Sequence, residues 1–369
     1  MYMKPYVPHE LPLKNLDFRL LLAHLGDARA ALGKYDGLLH GIVDPIVMLS
    51  PLINEEAVLS SKIEGTQVTV DEVLEQEAGM IKQGSKFHDI LEVRNYRRAL
   101  LEAQSVLENR TITRHLLRAL HKILMDSVRG QDKSPGEFRR EQNWIGALGC
   151  AIEQANFIPP DPLQLPNYLE RWEEYAAGED CDPLVQASIV HAQFELLHPF
   201  KDGNGRIGRL LIPLFLFQKK LLSQPMFYLS SYFESNREEY YSRLQAISRK
   251  DDWDGWIVFF LRAVAEQAQT CSERVEQMIR LYNDMKIQIH DLTHSQHVIQ
   301  ILDFMFTHPI FSAPSVSRQT GIKKPTADAL LRTLKEKGIL KALHEARGRR
   351  PAILGFPALL NIAEGRKVF

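Results

Sequence analysis

The chain has 369 residues, of which 45% are hydrophobic, and it carries a net charge of −1. This length and apolar content suffice for two or three packed domains, and the balanced charge gives no overall field that would attract nucleic acid or a membrane surface. Three cysteines without metal-ligand or disulfide spacing, no signal-peptide core and no uncharged run of membrane-spanning length predict a cytoplasmic protein without a membrane partner.

Helical sequence dominates the first 130 residues. Residues 55–65 favour a compact helix that ends at a glycine, the usual residue after a helix C-terminus. Residues 87–109 and 113–128 have helical periodicity, with Thr111 or Thr113 available as N-terminal caps. The sequence therefore predicts a helical framework ahead of the central region.

The stretch from His198 to Arg209 concentrates groups that few structural segments need together. It reads His-Pro-Phe-Lys-Asp-Gly-Asn-Gly-Arg-Ile-Gly-Arg. An apolar helical run precedes it at 184–197 and is ended by Pro199, and a second apolar run follows at 207–222. The segment is thus predicted to be a helix, a tight loop and a helix N-terminus, which is an arrangement that favours a bound anion.

The polar groups of this loop suit a polyphosphate. Gly203 and Gly205 can take positive φ, which turns successive backbone N–H groups toward one point. Arg206 and Arg209 lie three apart on the first turn of the following helix, and each guanidinium can grip phosphate oxygens as a planar fork.

Two further side chains supply chemistry. Asp202, at the mouth of the loop, is placed for a hard cation such as Mg²⁺, which prefers few carboxylates and shared phosphate oxygens. His198 is the only side chain of the loop that titrates near neutral pH, so it is the candidate general base. With these residues in place, the stretch resembles the signature of the Fic/Doc family, His-Pro-Phe-x-(Asp/Glu)-Gly-Asn-Gly-Arg-x-x-Arg, and matches it at every fixed position.

The resemblance implies an enzyme that binds ATP with Mg²⁺ and transfers AMP to a Ser, Thr or Tyr hydroxyl of a protein target, or of itself, with release of pyrophosphate. It implies that His198 deprotonates the hydroxyl and that Asp202 holds the metal. Relatives with altered loops act as kinases or phosphocholine transferases, whereas the unaltered loop here favours adenylylation. The ATP-binding residues that it implies are Gly203, Asn204, Gly205, Arg206, Arg209, Gln154, Ala155, Asn156, Phe157, Tyr240 and Tyr241.

The helix at 55–65 gains a meaning from this resemblance. Ser60, Glu64 and Gly65 occupy the fixed positions of the family's inhibitory motif, (Ser/Thr)-x-x-x-Glu-(Gly/Asn), on the N-terminal side of the signature. The resemblance implies that Glu64 pairs with Arg209 and blocks productive ATP binding, and that the same glutamate can position water to remove AMP. On spacing alone, a surface glutamate near a helix end is the simpler interpretation.

The flap and the adenine contacts are predicted less directly. Residues 136–146 resemble the family's approach to the flap and 154–160 the flap itself, a hairpin-like edge that aligns a target segment by strand pairing. Without the resemblance, the stretch is typical of a proline-punctuated surface loop. Tyr240 and Tyr241 are both adenine candidates, but adjacent helical residues point about a quarter-turn apart, so one of them is expected to be core.

The C-terminal part differs in charge. Residues 254–289 predict one or two long helices, and 313–369 then contains twelve Lys or Arg and four Asp or Glu, a net charge of +8 that leaves −9 for the rest. A short helix at 315–322, a second helix at 324–337 and a hairpin at 341–353 resemble a winged-helix domain in their order.

A winged-helix domain would offer the helix from Thr326 to the DNA major groove, with the arginine-rich tip Arg347-Gly348-Arg349-Arg350 near the DNA backbone or minor groove. The same fold also serves in protein interaction and dimerisation, and the sequence leaves these alternatives open.

The predicted fold class is mainly α: a Fic-type helical domain with a small β-hairpin flap, and a C-terminal winged-helix domain. The predicted division is an N-terminal helical region with the inhibitory helix at 1–110, a Fic catalytic domain at 111–290 and a winged helix-turn-helix domain at 291–369. Two functions follow, an autoinhibited protein adenylyltransferase, for which the family implies a homodimer, or a nucleotide-sensing DNA-binding regulator.

Overall fold

The structure is a computed structural model, and helices dominate it, as predicted. The residues that it describes are 4–79, 86–107, 110–126, 128, 133–147, 149–347 and 350–367. The helices of this described chain are α1 (Phe18–His40), α2 (Pro45–Met48), α3 (Ser50–Ile63), α4 (Val70–Glu77), α5 (Phe87–Leu107), α6 (Arg114–Leu124), α7 (Leu165–Ala177), α8 (Pro183–Leu197), α9 (Asn204–Gln218), α10 (Ser230–Ser235), α11 (Arg237–Lys250), α12 (Trp253–Thr293), α13 (Val298–Thr307), α14 (Ala313–Thr320), α15 (Lys324–Glu336) and α16 (Pro357–Glu364). Within the described ranges, no helix is both long enough and apolar enough to cross a membrane.

The chain forms two compact units, each built from separate stretches of sequence. The first unit comprises Met1–Asp36, Leu59–Thr66 and Arg94–Gln269, and the second comprises Gly37–Val58, Gln67–Val93 and Thr270–Phe369. The division into 1–110, 111–290 and 291–369 stays a prediction.

Helices α8 and α9 pack on each other in the first unit. Thirteen of the fifteen residues of α8 are buried, which is the pattern of a helix that is apolar all round. Asp182 caps its N-terminus by accepting a hydrogen bond from the N–H of Leu184, and Pro183 follows at the first helical position. These local signals fix the start of α8, and its C-terminal end leads into the loop that carries the signature.

An aromatic core fixes α8 against its neighbours. His191 of α8 donates from Nδ1 to the carbonyl of Gly208 at 2.8 Å, so its Nε2 accepts the hydroxyl proton of Tyr240 at 3.0 Å. Trp256, itself fully buried, stacks on the same imidazole and donates to the carbonyl of Ser188. The histidine therefore joins α8, α9 and α11 in a dry core.

Predicted and observed helix ends agree best where Pro or Gly intervenes. The run predicted at 184–197 is α8, and the long C-terminal stretch predicted at 254–289 is the single helix α12. Thr113 caps α6, as predicted, by accepting from the N–H of Leu116. The second apolar run ends at Gln218 rather than near residue 222, because Lys220 takes a positive φ.

The second unit contains the sheet of the described chain, with strands β1 (Ile310–Ser312), β2 (Lys341–His344) and β3 (Ile353–Gly355). All pairs are antiparallel in the order β1-β3-β2, with Ile310 and Lys341 both opposite Gly355. Helices α14 and α15 connect β1 to β2, so the predicted order of helix, turn, helix and hairpin is present. The tip residues Gly348 and Arg349 lie outside the described residues.

Candidate active site

The loop between α8 and α9 is held by two left-handed residues and one buried amide. His198 caps α8 with φ 45°, and Gly203 caps α9 with φ 75°. The side chain of Asn204, 2% exposed, accepts the N–H of Phe200 and donates to its carbonyl, both at 2.8 Å. A left-handed histidine costs of order 1–3 kcal/mol, so the surrounding bonds must enforce it.

A second histidine supports the same loop. The ring of His121 stacks on Phe200 with centroids 3.8 Å apart. Its Nδ1 accepts the N–H of Gly136 at 2.8 Å, so the proton is on Nε2, which donates to the carbonyl of Asp202 at 3.0 Å. Burial lowers the pKa of His121 to about 4, and the neutral ring is the form that makes both bonds.

The candidate base has a free nitrogen for a proton. Nδ1 of His198 lies 3.4 Å from the carbonyl oxygen of Glu195, the contact that a protonated Nδ1 makes. Nε2 is then the accepting nitrogen. Burial lowers the pKa of His198 to about 4, so the imidazole is neutral at physiological pH and available to take a proton.

Both signature arginines lie at the buried start of α9. Arg206 is 4% exposed and Arg209 is 2% exposed, so neither guanidinium is a surface charge. Nη2 of Arg206 lies 3.9 Å from the Asp202 carboxylate. Together with the N-terminal N–H groups of α9, these cations make the loop a basic, largely dehydrated anion site.

The last turn of α3 and the residue that follows it occupy the Arg209 guanidinium. Nη2 of Arg209 donates to Glu64 Oε1 at 2.7 Å and to the carbonyl of Ser60 at 2.8 Å, while its Nε donates to the Ser60 hydroxyl at 2.9 Å. Burial opposes ionisation of Glu64, but Arg209 holds its pKa below the usual value. Gly65 follows with φ 103°, in the left-handed region that favours glycine.

Glu64 also fills space over the loop. A Cβ on Gly205 would lie 2.1 Å from Glu64 Oε1 and 2.9 Å from Nη1 of Arg209. The carboxylate therefore lies against the backbone of the first turn of α9, where a bound anion would be favoured by the helix N-terminus.

Asp202 has the exposure and chemistry expected of a single carboxylate ligand. Its side chain is 48% exposed, and one oxygen accepts the N–H of Gly203 at 2.6 Å. Among the described residues no cluster of three or more metal-ligating side chains occurs. The residues present thus fit a Mg²⁺ ion that takes most of its ligands from nucleotide phosphates and water.

The predicted flap has a minimal form. Ile145 and Phe157 make one antiparallel bridge, and a 3-10 turn at Ile152–Gln154 lies in the segment between them. Gln154 and Asn156 are exposed, Ala155 is buried and Phe157 packs on Tyr6. In the described chain no hydrogen bond joins residues 154–157 to the signature loop, so their nucleotide contacts stay a prediction.

The two tyrosine candidates have different environments. Tyr240 is 1% exposed, stacks on Phe233 and donates its hydroxyl to His191. Tyr241 is 43% exposed, and the Arg237 guanidinium lies 5.9 Å from its ring centroid. Tyr240 is therefore the core residue of the pair, and Tyr241 is the one whose ring is exposed.

Three polar residues of the site, the buried His121 and Arg139 and the partly buried Glu195, were absent from the predicted set. His121 supports the loop as described above, and Glu195 places its carboxyl against Gly208 of α9. Arg139 donates to the carbonyl of His198 at 3.0 Å. The sequence signal was available only for Glu195, the single acid in a mostly apolar helix.

Family models match two consecutive parts of the chain. Residues 22–105 match the model described as Fic/DOC family N-terminal, and residues 111–216 match the model described as Fic/DOC family. Together the two matches span about half of the chain and include both the Glu64 segment and the signature.

Named relatives differ in how much of their length is shared. A probable protein adenylyltransferase of Aquifex aeolicus is 24% identical over 301 residues, which are 80% of this chain and 84% of the relative. The protein adenylyltransferase Fic of Culex quinquefasciatus is 30% identical over 180 residues, 47% of this chain but only 30% of the relative. The chain thus spans less than a third of the insect protein.

Solved structures share the fold. A Fic family protein from Desulfovibrio desulfuricans G20 superposes with a TM-score of 0.60 at 20% identity, covering 94% of this chain and 98% of that one. Residues 134–508 of Fic-1 from C. elegans give a TM-score of 0.51 at 20% identity, covering 71% and 73% of the two chains.

Proposed function

Because the chain belongs to the Fic/DOC family, we propose that it is a protein adenylyltransferase held inactive by its own Glu64. The observation that carries the proposal is the 2.7 Å ion pair between Glu64, just after α3, and Arg209, which lies on the helix that follows the His198 loop. The names of the Aquifex and Culex relatives support the reaction class.

In the proposed reaction, Nε2 of His198 takes the proton of a Ser, Thr or Tyr hydroxyl on a target protein or on the chain itself. The hydroxyl oxygen bonds to the α-phosphorus of ATP as the bond to the pyrophosphate oxygen breaks, which leaves an AMP-modified protein and pyrophosphate. Mg²⁺, held by Asp202, would supply charge neutralisation at the phosphates. Arg206 and the backbone at Gly203 and Gly205 would bind the phosphate chain.

Inhibition follows from competition for one cation. The γ-phosphate of a productively bound ATP needs Arg209, and the Glu64 carboxylate already holds it. Two anions on one guanidinium repel each other, so ATP binds either in a different posture or after Glu64 has left. Glu64 must give up both this ion pair and its place beside Gly205 before Arg209 is available to the γ-phosphate, so transfer stays low without a release signal.

The test compares wild type, Glu64→Gly and the Glu64→Gly/His198→Ala double variant, each incubated with Mg²⁺ and ATP labelled on the α-phosphate. We expect strong labelling of the Glu64→Gly protein, weak labelling of wild type and none in the Glu64→Gly/His198→Ala double variant. Intact mass gives the number of AMP groups, and a chase with unlabelled ATP detects AMP removal.

Other outcomes assign other functions. Label from the γ-phosphate would mean a kinase. Nucleotide binding without label from either position would replace the enzyme with a nucleotide sensor. Equal labelling of wild type and Glu64→Gly, both folded, would leave the transfer but remove the autoinhibition.

A specific observation favours DNA as a second partner, bound by a winged-helix domain within 291–369. Among the described residues of 291–369 the exposed large apolar side chain is Ile299 of α13, so α15 and the hairpin offer little to an apolar protein partner. Lys323, Lys324 and Arg332 are exposed on and just before α15 and have no acidic partner among the described residues. Arg347 and Arg350 form a bridged pair in the hairpin, which places both side chains on one face of it.

The DNA proposal is tested on the full chain with a labelled 30-base-pair duplex of random sequence at several salt concentrations. We expect a salt-dependent affinity, and Lys324→Ala/Arg332→Ala should lower the slope of log K against log salt by about 2. Lys14→Ala/Arg19→Ala, which removes two exposed charges from the first unit, is the matched control. No binding at 50 mM salt would exclude this role, and gel filtration tests the predicted homodimer separately.

A further inference from the structure

The guanidinium of Arg139 is buried, with 3% of the residue exposed, and its hydrogen-bond partners among the described residues are all backbone carbonyls. Its side-chain bonds are Nε to His198 O at 3.0 Å, Nη2 to Pro160 O at 2.6 Å, Nη2 to Leu197 O at 3.4 Å and Nη1 to Glu141 O at 3.3 Å. Its own backbone N–H donates to the carbonyl of Pro199 at 2.9 Å. Arg139 therefore holds three consecutive carbonyls at the end of α8.

Such a group is costly unless its position matters. Within the described residues no carboxylate lies in salt-bridge distance of Arg139, and Asp161 acts on it only through space. Burial lowers the pKa of Arg139 to about 10, which leaves the guanidinium charged at neutral pH. A buried cation without a carboxylate partner destabilises the fold compared with an apolar residue at the same position. The benefit of Arg139 is therefore the placement of backbone carbonyls rather than stability.

Two of the carbonyls that the Arg139 side chain binds, those of Leu197 and His198, lie at the C-terminal end of α8. The last carbonyls of α8 lack partners within the helix, and a cation at a helix C-terminus is also favoured by the helix dipole. His198 has a left-handed backbone at this point, so the direction of its imidazole depends on how its two peptide groups are held. Arg139 holds the carbonyl of His198 and, through Leu197 O, the preceding peptide group.

The same nitrogen, Nη2, also binds Pro160 O, just beyond the flap bridge at Phe157. One side chain thus fixes the end of α8 and the end of the flap with respect to each other. Gln142 and Asn143 reinforce the connection, through Pro159 O and Phe200 O respectively.

We propose that Arg139 is a positioning residue that sets the His198 imidazole at a fixed place relative to the flap along which a target hydroxyl is presented. The proposal rests on the proposed function, since it assigns Arg139 to the same reaction. The charge of Arg139 supports the same role, because a nearby guanidinium disfavours a protonated imidazole and so keeps His198 in the neutral form that can accept a proton.

The test uses Arg139→Lys and Arg139→Gln in the active Glu64→Gly background. Lys keeps the charge but cannot span the four carbonyls, and Gln loses both the charge and the fork. We expect kcat for AMP transfer to fall about 100-fold in both, with ATP affinity within twofold, since the phosphate loop is untouched. The acid limb of the pH–rate profile should move to higher pH in Gln alone.

Arg118 offers a matched control. It donates Nε to the carbonyl of Gly136 at 2.8 Å and pairs with Glu137, so it binds the same segment from the solvent side without reaching α8. Arg118→Lys and Arg118→Gln should leave kcat and the pH profile unchanged within twofold.

A second measurement keeps the proposal separate from the enzyme assignment. Titration of the ¹⁵N-labelled His198 imidazole by NMR reports its pKa and ring environment without any transfer reaction, and Arg139→Gln should raise that pKa. If Glu64→Gly itself shows no transfer, the proposed function fails, while this titration still tests whether Arg139 sets the environment of the His198 imidazole. An unchanged kcat with an unchanged titration would overturn the proposal, as would unfolding of both Arg139 variants, which would make the residue purely structural.

Discussion

Gly205 and Gly208 lie about one turn apart in α9, and each leaves room for a carboxyl group. A Cβ on Gly208 would lie 1.9 Å from Glu195 Oε1, as one on Gly205 would lie 2.1 Å from Glu64 Oε1. The charges of the two carboxyls differ, because Glu64 is paired with Arg209 whereas Glu195 Oε1 is buried without a hydrogen-bond partner in the described chain. Burial raises the pKa of Glu195 to about 8, so it is neutral at pH 7.

Amide substitutions at these two acids should have opposite pH dependences. Folded Glu195 keeps its proton up to about pH 8 and the unfolded chain loses it near pH 4.5, so wild type loses stability as pH rises between these values. Glu195→Gln removes that loss, so the unfolding free energy of the variant minus that of wild type should be larger at pH 8 than at pH 5. Folded Glu64 has a pKa below 4.5, so its contribution is present above that pH and is lost as pH falls.

Urea unfolding at pH 4, 5, 7 and 8 measures both effects. Glu64→Gln should cost most at pH 7 and progressively less toward pH 4, whereas Glu195→Gln should improve on wild type as pH rises. Parallel profiles for wild type and Glu195→Gln would show that the Glu195 carboxyl is ionised in the folded chain.

Two adjacent serines separate the Arg209 contact from general packing. The Ser60 hydroxyl accepts from Nε of Arg209, whereas the buried Ser61 hydroxyl has no hydrogen-bond partner in the described chain. Ser60→Ala leaves a buried donor unsatisfied, so it should lower the unfolding free energy by about 1–3 kcal/mol and raise basal AMP transfer. Ser61→Ala should do neither, as measured by urea unfolding and α-phosphate labelling, and an equal rise in transfer for both would assign the effect to helix packing.

At the scale of elements, the turn that ends α3 decides where Glu64 lies. Gly65 has φ 103° and its missing Cβ would meet no atom within 4 Å, so Gly65→Ala acts through backbone strain alone. That strain is about 1 kcal/mol or more, and the turn can relieve it by moving Glu64 away from Arg209. We expect roughly fivefold higher basal transfer, the factor that 1 kcal/mol gives.

Gly79 is the control for this prediction, since it has φ 93° and, among the described residues, equally empty surroundings and no contact with Arg209. Gly79→Ala should cost similar stability without raising transfer in the labelling assay. A loss of stability without a rise in transfer for Gly65→Ala would mean that the turn yields elsewhere and Glu64 stays in place.

The ends of helices are predicted best from sequence where a Pro or Gly residue marks them. Pro183, Pro199 and Gly203 fix the ends of α8 and the start of α9, so the signature loop was placed correctly. The flap was predicted as a hairpin edge and has a single bridged pair, since strand pairing depends on long-range contacts that a short loop sequence does not encode. Tyr240 and Tyr241 were inseparable because only packing on His191 decides which one is buried.

The whole molecule combines segments that are distant in sequence, and this limits where it can be cut. In the second unit α2 packs on α13 and α4 packs on β1, while Arg274 pairs with Glu55 at 2.6 Å. Val73 of α4 is 1% exposed and Leu52 of α3 is 5% exposed. The sequence suggested a boundary near residue 290 because a long helical stretch is predicted to end at 289 and basic residues concentrate from 313 onward, but such signals do not report which earlier helices the C-terminal part covers.

A chain truncated after residue 290 should therefore fold poorly, although it retains every signature residue. Removing α13 and β1 strips cover from α2 and α4, and each large apolar side chain returned to water costs about 1.5–3 kcal/mol. We expect a lower unfolding midpoint by circular dichroism and stronger binding of an apolar dye than in the full chain. The two-charge variant Lys324→Ala/Arg332→Ala, which leaves this packing intact, is the control. A truncated chain with the full-length midpoint would instead establish 291–369 as an independent domain, because the helices at 37–58 and 67–93 would then not depend on it.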